Sequence, residues 1–382
     1  MKTKHLLAAC TALCAFTLLP ARIHANAIAY SVTVLDGLGG SFGSSADSIN
    51  ASGQVAGSSY ILDNTVTHAV RWTGTTTTDL GSVVPFGGIY GSDAVGINAS
   101  GQVAGSYKTA NGGATYGGLW SGATPATLNG IGSLNVNIYA SGNAINTSGQ
   151  VAGVSMMTTN GGVSNFYRAV LWTGATPTNL GTLGGIYSYN SYGYGINDSG
   201  QVAGYSTGDG TSHAVRWTGT TPTDLGTLGG GVSEAFGINV TGQVAGGAQT
   251  TGNAFHAVRW TGTAAEDLGT LGGSTSEGFG INASGDVVGI SNIAGNAASH
   301  AFLYTGGTMY DLFTLLLLGS GVSDLSINSA GTINDSGQIA ATGTINGQRH
   351  ALRLDPVAAP EPSSALLLIG SAGLFLLRRR RI

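Results

Sequence analysis

A nine-residue motif that recurs seven times constrains the fold of this chain more than any other feature. Its first copy runs from Ile49 to Gly57 and reads Ile-Asn-Ala-Ser-Gly-Gln-Val-Ala-Gly. The asparagines of the seven copies are Asn50, Asn98, Asn146, Asn197, Asn239, Asn282 and Asn334. Their mean spacing of about 47 residues indicates one supersecondary unit that is copied along the chain.

Each unit encodes two β-hairpins. In Asn-x-Ser-Gly, the asparagine opens a type I turn and the glycine closes it, so the flanking segments form two antiparallel strands. A second hairpin follows in the first unit, with a strand from His68 to Trp72, a predicted turn at Thr73-Gly74 and a strand that ends at Gly81. Four short strands in about 40–50 residues, repeated along the chain, are typical of a β-propeller blade.

The ends of the repeat region predict how such a ring closes. The seventh copy stops after its third strand, at residues 350–354, whereas residues 31–36 resemble a fourth strand placed at the start of the chain. A closed ring needs that missing strand, and an open β-solenoid does not. We therefore predict an all-β, seven-bladed β-propeller in which residues 31–36 complete the last four-stranded blade.

The composition agrees with this geometry. Glycine supplies 65 of the 382 residues and charged residues only 8%, as expected where inner strands converge on an axis too narrow for large side chains. Residues 28–359 hold one lysine and six arginines against 17 acidic residues, which argues against nucleic acid as a partner. We expect the aligned tryptophans to be buried between blades. They are Trp72, Trp120, Trp172, Trp217 and Trp260.

Residues 1–27 have the pattern of a secretory signal peptide. Lys2 and Lys4 precede an apolar stretch from Leu6 to Leu19, and Ala25-Asn26-Ala27 fits the cleavage site of a signal peptidase. Both cysteines of the chain lie in this segment, so the predicted mature body, residues 28–356, has no disulfide and no cysteine-based metal site.

Residues 357–382 form a third, distinct segment. Pro360-Glu361-Pro362 is followed by an apolar run from Ser363 to Leu377 and by four arginines, Arg378 to Arg381. This order strongly resembles the PEP-CTERM sorting tail of Gram-negative bacteria. The resemblance implies recognition of Pro-Glu-Pro by a membrane exosortase, a transient membrane anchor, and export to the outer surface or the extracellular space. A plain C-terminal transmembrane anchor is the alternative.

The repeat units resemble the HAF family of extracellular repeats. The motifs that carry the resemblance are Asn-x-Ser-Gly-Gln, His-Ala-Val-Arg-Trp and Asp-Leu-Gly-Thr-Leu-Gly-Gly, and the literal His-Ala-Phe run occurs at His300-Ala301-Phe302. The family name implies no activity.

Four histidines precede an aspartate by the same spacing of 11 residues. The pairs are His68 and Asp79, His213 and Asp224, His256 and Asp267, and His300 and Asp311. With a Thr-Gly turn, His68 is expected to face Asp79, Trp72 to face Thr75, and Arg168 to face Asn179 in the third unit. A repeated pair is better explained as structural support than as a general base, because catalysis needs one asymmetric site.

The candidate binding residues are those at which the units differ. Tyrosines in the loops that enter the first strand of a unit are expected on one rim of the ring and are candidates for stacking on sugar rings. Acidic residues five positions before an asparagine are candidates for a cation near the axis. The first group comprises Tyr90, Tyr139, Tyr187 and Tyr189, with Tyr192 and Tyr194 nearby. The second group comprises Asp93, Glu234 and Glu277.

The sequence contains no clear set of catalytic residues, no metal-spaced histidine cluster and no phosphate-binding loop. The expected function is therefore that of an exported, non-enzymatic structural or adhesive protein of the extracellular matrix, without a cofactor. The first alternative is a carbohydrate- or calcium-binding module, with extracellular polysaccharide as its partner. A propeller hydrolase or lyase is the second.

Overall fold

The computed structural model describes residues 28–81, 89–109, 114–131, 139–159, 164–184, 190–208, 210–327 and 331–358. The signal-peptide and sorting-tail predictions concern residues 1–27 and 359–382, which lie outside these ranges. Within the described residues, no helix is both long enough and apolar enough to cross a membrane.

The described chain consists almost entirely of short strands. The first strand is β1 (Ile28–Leu35). The first three blades comprise β2 (Gly39–Ile49), β3 (Val55–Ile61), β4 (Thr67–Thr73) and β5 (Thr76–Asp79); β6 (Ile89–Ile97), β7 (Val103–Thr109), β8 (Thr115–Trp120) and β9 (Pro125–Leu128); and β10 (Ala140–Ile145), β11 (Val151–Thr159), β12 (Ser164–Thr173) and β13 (Thr176–Asn179).

The remaining strands follow the same order. Blades four to six comprise β14 (Ser191–Ile196), β15 (Val202–Gly208), β16 (Thr211–Thr218) and β17 (Thr221–Asp224); β18 (Gly229–Ile238), β19 (Val244–Thr250), β20 (Phe255–Thr261) and β21 (Ala264–Asp267); and β22 (Gly272–Ile281), β23 (Val287–Ile293), β24 (Ser299–Thr305) and β25 (Thr308–Asp311). The last blade contains β26 (Val322–Ser326), β27 (Ile339–Ile345) and β28 (Gln348–Ala358). In the described segments, two short 3-10 helices span Ala294–Asn296 and Leu312–Leu315.

The strands form seven four-stranded sheets, and the protein is a seven-bladed β-propeller. Six sheets use consecutive strands, whereas the last has the order β1-β28-β27-β26. The Thr33 hydroxyl donates to the Asp355 carboxylate at 3.2 Å, across this junction of the two chain ends. The prediction that the first strand completes the last blade is confirmed.

The repeat asparagine builds the inner turn of each blade. Asn50 Oδ1 accepts hydrogen bonds from the backbone N–H of Ser52 and of Gln54, at 3.0 and 2.9 Å. Gly53 takes a φ of 75°, a conformation that glycine adopts without a Cβ penalty. The Asn-x-Ser-Gly sequence therefore recurs because the asparagine side chain and the glycine backbone both stabilise the turn.

The outer turn corrects the predicted register of the second hairpin. Thr73 pairs with Thr76 and Val70 pairs with Asp79, so the turn is Gly74-Thr75 rather than Thr73-Gly74. Gly74 has a φ of 61° whereas Thr75 has no positive φ, and a positive φ at the first turn residue only is the pattern of a type II′ turn, which favours glycine there.

The same correction applies to the other predicted cross-strand pairs. Trp72 faces Thr77 rather than Thr75, and Asn179 faces Val170 rather than Arg168. His68 is consequently two residues away from the position directly opposite Asp79.

The core lies between the blades, as the tryptophan positions predict. All five tryptophans are at most 1% exposed. Trp72 packs with Leu35, Ala340 and Ala351 of the last blade, and Trp120 packs with Ala56 and Ala69 of the first. Each ring thus closes the gap to the preceding blade.

A ring of hydrogen bonds surrounds one end of the axis. Six repeat asparagines donate through Nδ2 to the backbone carbonyl of the repeat asparagine in the next blade, at 2.9–3.3 Å. The bond from Asn334 to the Asn50 carbonyl joins the last blade to the first. We call the seven repeat asparagines the Asn ring.

Candidate binding site at the entrance face

The axis of the propeller has two unlike ends. The inner strands of the first six blades run towards the Asn ring, so they begin at the opposite end, which we call the entrance face. Six members of the Asn ring border an axial cavity of about 230 Å³, lined also by six of the isoleucines that precede the asparagines. Because the amides of the ring are already hydrogen-bonded to the blades, this end offers little for a ligand.

Alternate residues of each inner strand face the axis, since successive side chains point to opposite sides of a sheet. Six of the isoleucines that directly precede the asparagines line the axial cavity. A β-bulge in blades four to six interrupts the alternation at the residue three positions before the asparagine. The residues three and five positions before the asparagine lie closer to the entrance face. In blades four, five and six these residues are Tyr194 and Tyr192, Phe236 and Glu234, and Phe279 and Glu277.

These side chains belong to a continuous run of seven aromatic rings. Each ring has its centroid between 4.9 and 5.8 Å from that of the next, within the range of favourable aromatic pairs. We call this run the aromatic surface. In spatial order it comprises Tyr139, Tyr167, Tyr192, Tyr205, Tyr194, Phe236 and Phe279.

The aromatic surface is partly open to solvent. Tyr139 is 36% exposed, whereas Phe279 at the other end of the run is buried. The tyrosines between them are half-buried. Burial raises the pKa of Tyr192 to about 12, with a contribution from the neighbouring tyrosines, so its phenol is a neutral hydrogen-bonding group at physiological pH.

Two carboxylates border the aromatic surface, and we call Glu234 and Glu277 the axial carboxylates. Burial raises the pKa of Glu277 from its ordinary value of 4.5 to about 7, with a smaller contribution from the charge of Glu234. Burial also raises the pKa of Glu234. The charge of Glu234 in turn raises the pKa of Tyr194 and of Tyr205, which places it within electrostatic reach of the rings.

The other predicted site residues do not join this group. Tyr187 and Tyr189 lie outside the described residues, and Tyr90 lies on β6 with a side chain that is not described. Asp93 accepts a hydrogen bond from the Thr67 hydroxyl at 3.3 Å. The pKa of Asp93 is raised overall, because the effect of burial exceeds the opposing effects of the Thr67 hydrogen bond and of the charge of Lys108. Asp93 therefore has a cation nearby, which the axial carboxylates lack.

Four members of the aromatic surface were missed by the sequence analysis. Phe236 and Phe279 occupy the position of Tyr194 in the next two repeats, so alignment of the repeats gives a signal for both. Tyr205 faces Tyr192 directly across β14 and β15, but only the register reveals this. Tyr167 comes from the third strand of its blade, and no repeat position marks it.

The His-Asp pairs are formed, but away from the axis. Nδ1 of His68, His213, His256 and His300 lies 2.7–3.0 Å from the carboxylate of its aspartate on the outermost strand. The same aspartates accept a hydrogen bond from a backbone N–H two residues later, as Asp79 does from Gly81 at 2.8 Å. The pairs therefore tie the outer strand to the loop that leaves the blade.

Among the described residues, no three histidine, cysteine or acidic side chains come together as they would around a metal ion. The candidate site thus consists of aromatic rings, phenol hydroxyls and two carboxylates.

No protein-family model and no curated protein matches this sequence. Distant similarity exists to solved structures. TolB from Acinetobacter baumannii is 11% identical with a TM-score of 0.43, and the match covers 67% of this chain and 63% of TolB. A puromycin-hydrolyzing peptidase from Mycobacterium tuberculosis is 10% identical with a TM-score of 0.48, covering 83% of this chain and 52% of the peptidase.

The fucose-specific lectin from Aleuria aurantia is 11% identical with a TM-score of 0.36, and the match covers 74% of this chain and 94% of the lectin. This chain spans less than two thirds of the length of TolB and about half of the peptidase. These likenesses are too distant to transfer an activity or a ligand.

Proposed function

We propose that this protein is an exported, non-enzymatic binding propeller of the extracellular matrix, and that the aromatic surface is its contact with polysaccharide. The observation that carries this proposal is the partly exposed run of seven rings at one end of the axis. Aromatic faces offer a flat apolar surface for the C–H face of a sugar, and phenol hydroxyls offer hydrogen bonds at its edge.

The aromatic side chains are distributed unequally among the seven blades, which supports a binding role for them rather than a purely structural one. Residues that only hold blades together recur around the ring, as the asparagines and tryptophans do. The aromatic surface is confined to blades three to six, while the corresponding axial position in blade two is Val95 and in blade three Asn143. The Asn143 amide donates to the Gly193 carbonyl at 2.8 Å, which is a structural role.

A glycan array, on which binding of the purified protein to saccharides is measured, tests the proposal. Tyr139→Ala is expected to weaken binding by removing an exposed stacking surface. Tyr310→Ala is the matched control, because Tyr310 is 38% exposed against 36% for Tyr139 but lies on β25, in the outermost strand of its blade. Equal effects of the two variants, or no saccharide bound at all, would refute the proposed function.

Calcium is the second candidate ligand that the sequence suggests. The axial carboxylates supply only two oxygen-bearing side chains of the kind calcium prefers, and calcium takes about 6–8 oxygen ligands. We therefore expect saccharide binding to persist in a chelator. Loss of binding in the chelator and its recovery with calcium would favour a calcium-dependent site.

The export part of the proposal rests on the two terminal segments. We expect cleavage after Ala27 and processing near Pro360-Glu361-Pro362, in line with the resemblance to the PEP-CTERM tail. Mass spectrometry of the external fraction checks this. An intact Arg378 to Ile382 tail on the external protein would contradict the sorting proposal.

A further inference from the structure

We propose that the polysaccharide bound at the aromatic surface carries free amino groups, with the axial carboxylates Glu234 and Glu277 receiving its ammonium groups. This inference rests on the proposed function and specifies the chemical class of the ligand. It begins from the charge of the surface, because aromatic stacking alone suits neutral sugars as well as cationic ones.

The axial carboxylates have no basic partner in the described part of the chain. Every lysine, arginine and histidine of residues 28–358 is described. Ion pairs join Glu266 to Arg259, Asp355 to Arg353, and the aspartates to the histidines of the four His-Asp pairs.

Four of the remaining cations have partners elsewhere, among them Arg168, which donates to the Tyr167 carbonyl at 3.0 Å. Arg71 and Arg216 donate to the carbonyls of Gly101 and Gly242 in the next blade, at 2.6 and 2.9 Å. The charge of Lys108 lowers the pKa of Asp93, so this lysine lies near Asp93. Two carboxylates, close enough for the charge of Glu234 to raise the pKa of Glu277, thus have no ion-pair partner among the described residues. Burial of such charges is costly unless a partner of opposite sign is present.

The rings around these carboxylates favour the same ligand. A cation over the face of a tyrosine or phenylalanine is attracted by the ring quadrupole, and this is the basis of aromatic sites for ammonium groups. Phe236 and Phe279 follow Glu234 and Glu277 by two residues in their strands, and Tyr194 packs against Phe236 with a centroid distance of 5.3 Å. The site thus combines unpaired negative charge with ring faces.

Other occupants fit less well. A neutral sugar leaves both carboxylates without a counter-charge, and an anionic polysaccharide is repelled by them. A divalent metal ion lacks further ligands, since no third histidine, cysteine or acidic side chain joins the pair among the described residues. An amino sugar matches both the ring faces and the carboxylates, because it presents a C–H face and an ammonium group on one small ring.

Titration calorimetry of the purified protein near neutral pH tests the inference. Three probes are compared: oligomers of glucosamine, the corresponding oligomers of N-acetylglucosamine, and neutral glucose oligomers. We expect the glucosamine oligomers to bind about tenfold or more tightly than the other two, because a hydrogen bond to a charged group is worth more than a neutral one.

The variants Glu234→Gln and Glu277→Gln remove the charges with almost no change of shape. Each is expected to reduce the preference for glucosamine oligomers, and the double variant is expected to abolish it. Asp198→Asn is the control, since it also removes one negative charge but lies in the exposed turn of the Asn ring, where Asp198 accepts hydrogen bonds from Thr147. A cooperative thermal transition with a melting temperature at or above that of the parent shows that each variant is folded.

The outcomes separate the two proposals. Equal affinity for all three probes, with no effect of the glutamine variants, overturns the amino-sugar inference and leaves the proposed polysaccharide function standing. A glucosamine preference that survives in the double glutamine variant, or that is lost equally in Asp198→Asn, also overturns it, because the preference then reflects the overall negative charge. Absence of binding to any saccharide removes the proposed function as well.

Discussion

At the residue scale, the tryptophans are the largest single contributors to the core. Trp217 is fully buried and packs with Ala152, Ala169 and Leu171 of the preceding blade. Truncation leaves a cavity between two blades that cannot close without moving a whole sheet. Trp217→Ala is expected to lower the free energy of unfolding by about 3–5 kcal/mol, as measured by chemical denaturation. A loss below about 1 kcal/mol would contradict the packing between blades.

Glu277 gives a second residue-scale prediction, which concerns pH. Its pKa is about 7 in the folded protein and 4.5 when unperturbed, so the folded state binds the proton more tightly. The stability contributed by its neutral form is present below pH 4.5 and is lost as the pH rises through 7. The stability of Glu277→Gln relative to the parent should therefore rise from about pH 5 to about pH 8.

Melting curves of both proteins across this range provide the measurement. Among the described residues, Glu234 is the group whose charge adds to the effect of burial. In a Glu234→Gln background the pH-dependent difference should therefore shrink but persist. A difference that does not change with pH would show that Glu277 titrates as an exposed carboxyl does.

At the element scale, the glycine of each Val-Ala-Gly segment permits close approach of the inner two strands. A Cβ built on Gly204 would overlap the carbonyl oxygen of Tyr192, in the strand that carries Tyr192 and Tyr194. Gly204→Ala is expected to destabilise the protein by about 1–3 kcal/mol, because the backbone of β14 must shift. We also expect it to weaken saccharide binding, since Tyr192 moves with that backbone.

Gly208→Ala is the control for this prediction. Gly208 ends the same strand, and a Cβ added there meets no atom within 4 Å. Its effect on the midpoint of chemical denaturation should stay within about 0.5 kcal/mol of the parent. Equal losses in the two variants would show that strand flexibility, rather than close approach of the backbones, explains the glycine.

At the scale of the whole molecule, the ring is closed by a strand from the opposite end of the chain. The pairing of β1 with β28 joins the two termini in one blade, and the Leu317 N–H donates to the Tyr30 carbonyl at 2.9 Å. Removal of β1 leaves the edge of β28 unpaired, which favours association with other chains. We expect that variant to lose its cooperative thermal transition and to form oligomers in size-exclusion chromatography.

A rearranged chain provides the control for ring closure. When residues 28–36 are moved behind Ala358 through a short flexible linker, the last blade has the same strand order as the other six. We expect this variant to fold and to remain monomeric, with a lower melting temperature because the ring is no longer closed by both ends. Failure of the rearranged chain to fold would show that β1 does more than fill the blade.

The sequence by itself determined the repeat number, the four strands per blade, the buried tryptophans and the closure by the first strand. Each of these follows from local chemistry repeated seven times, because a turn that needs Asn and Gly or a strand that ends in Trp leaves its mark in every copy. The predicted register of the outer hairpin was wrong for a local reason, because the positive φ of Gly74 decides which residues form the turn.

The tertiary structure alone decided the composition of the candidate site. Tyr167 and Tyr205 come from different strands and blades, and both rings contact Tyr192. Their positions along the chain give no indication of these contacts. The axial carboxylates are adjacent because neighbouring inner strands converge on the axis, although Glu234 and Glu277 belong to different repeats. Their raised pKa values arise from burial beside the rings, and burial is a property of the assembled ring of blades rather than of any segment.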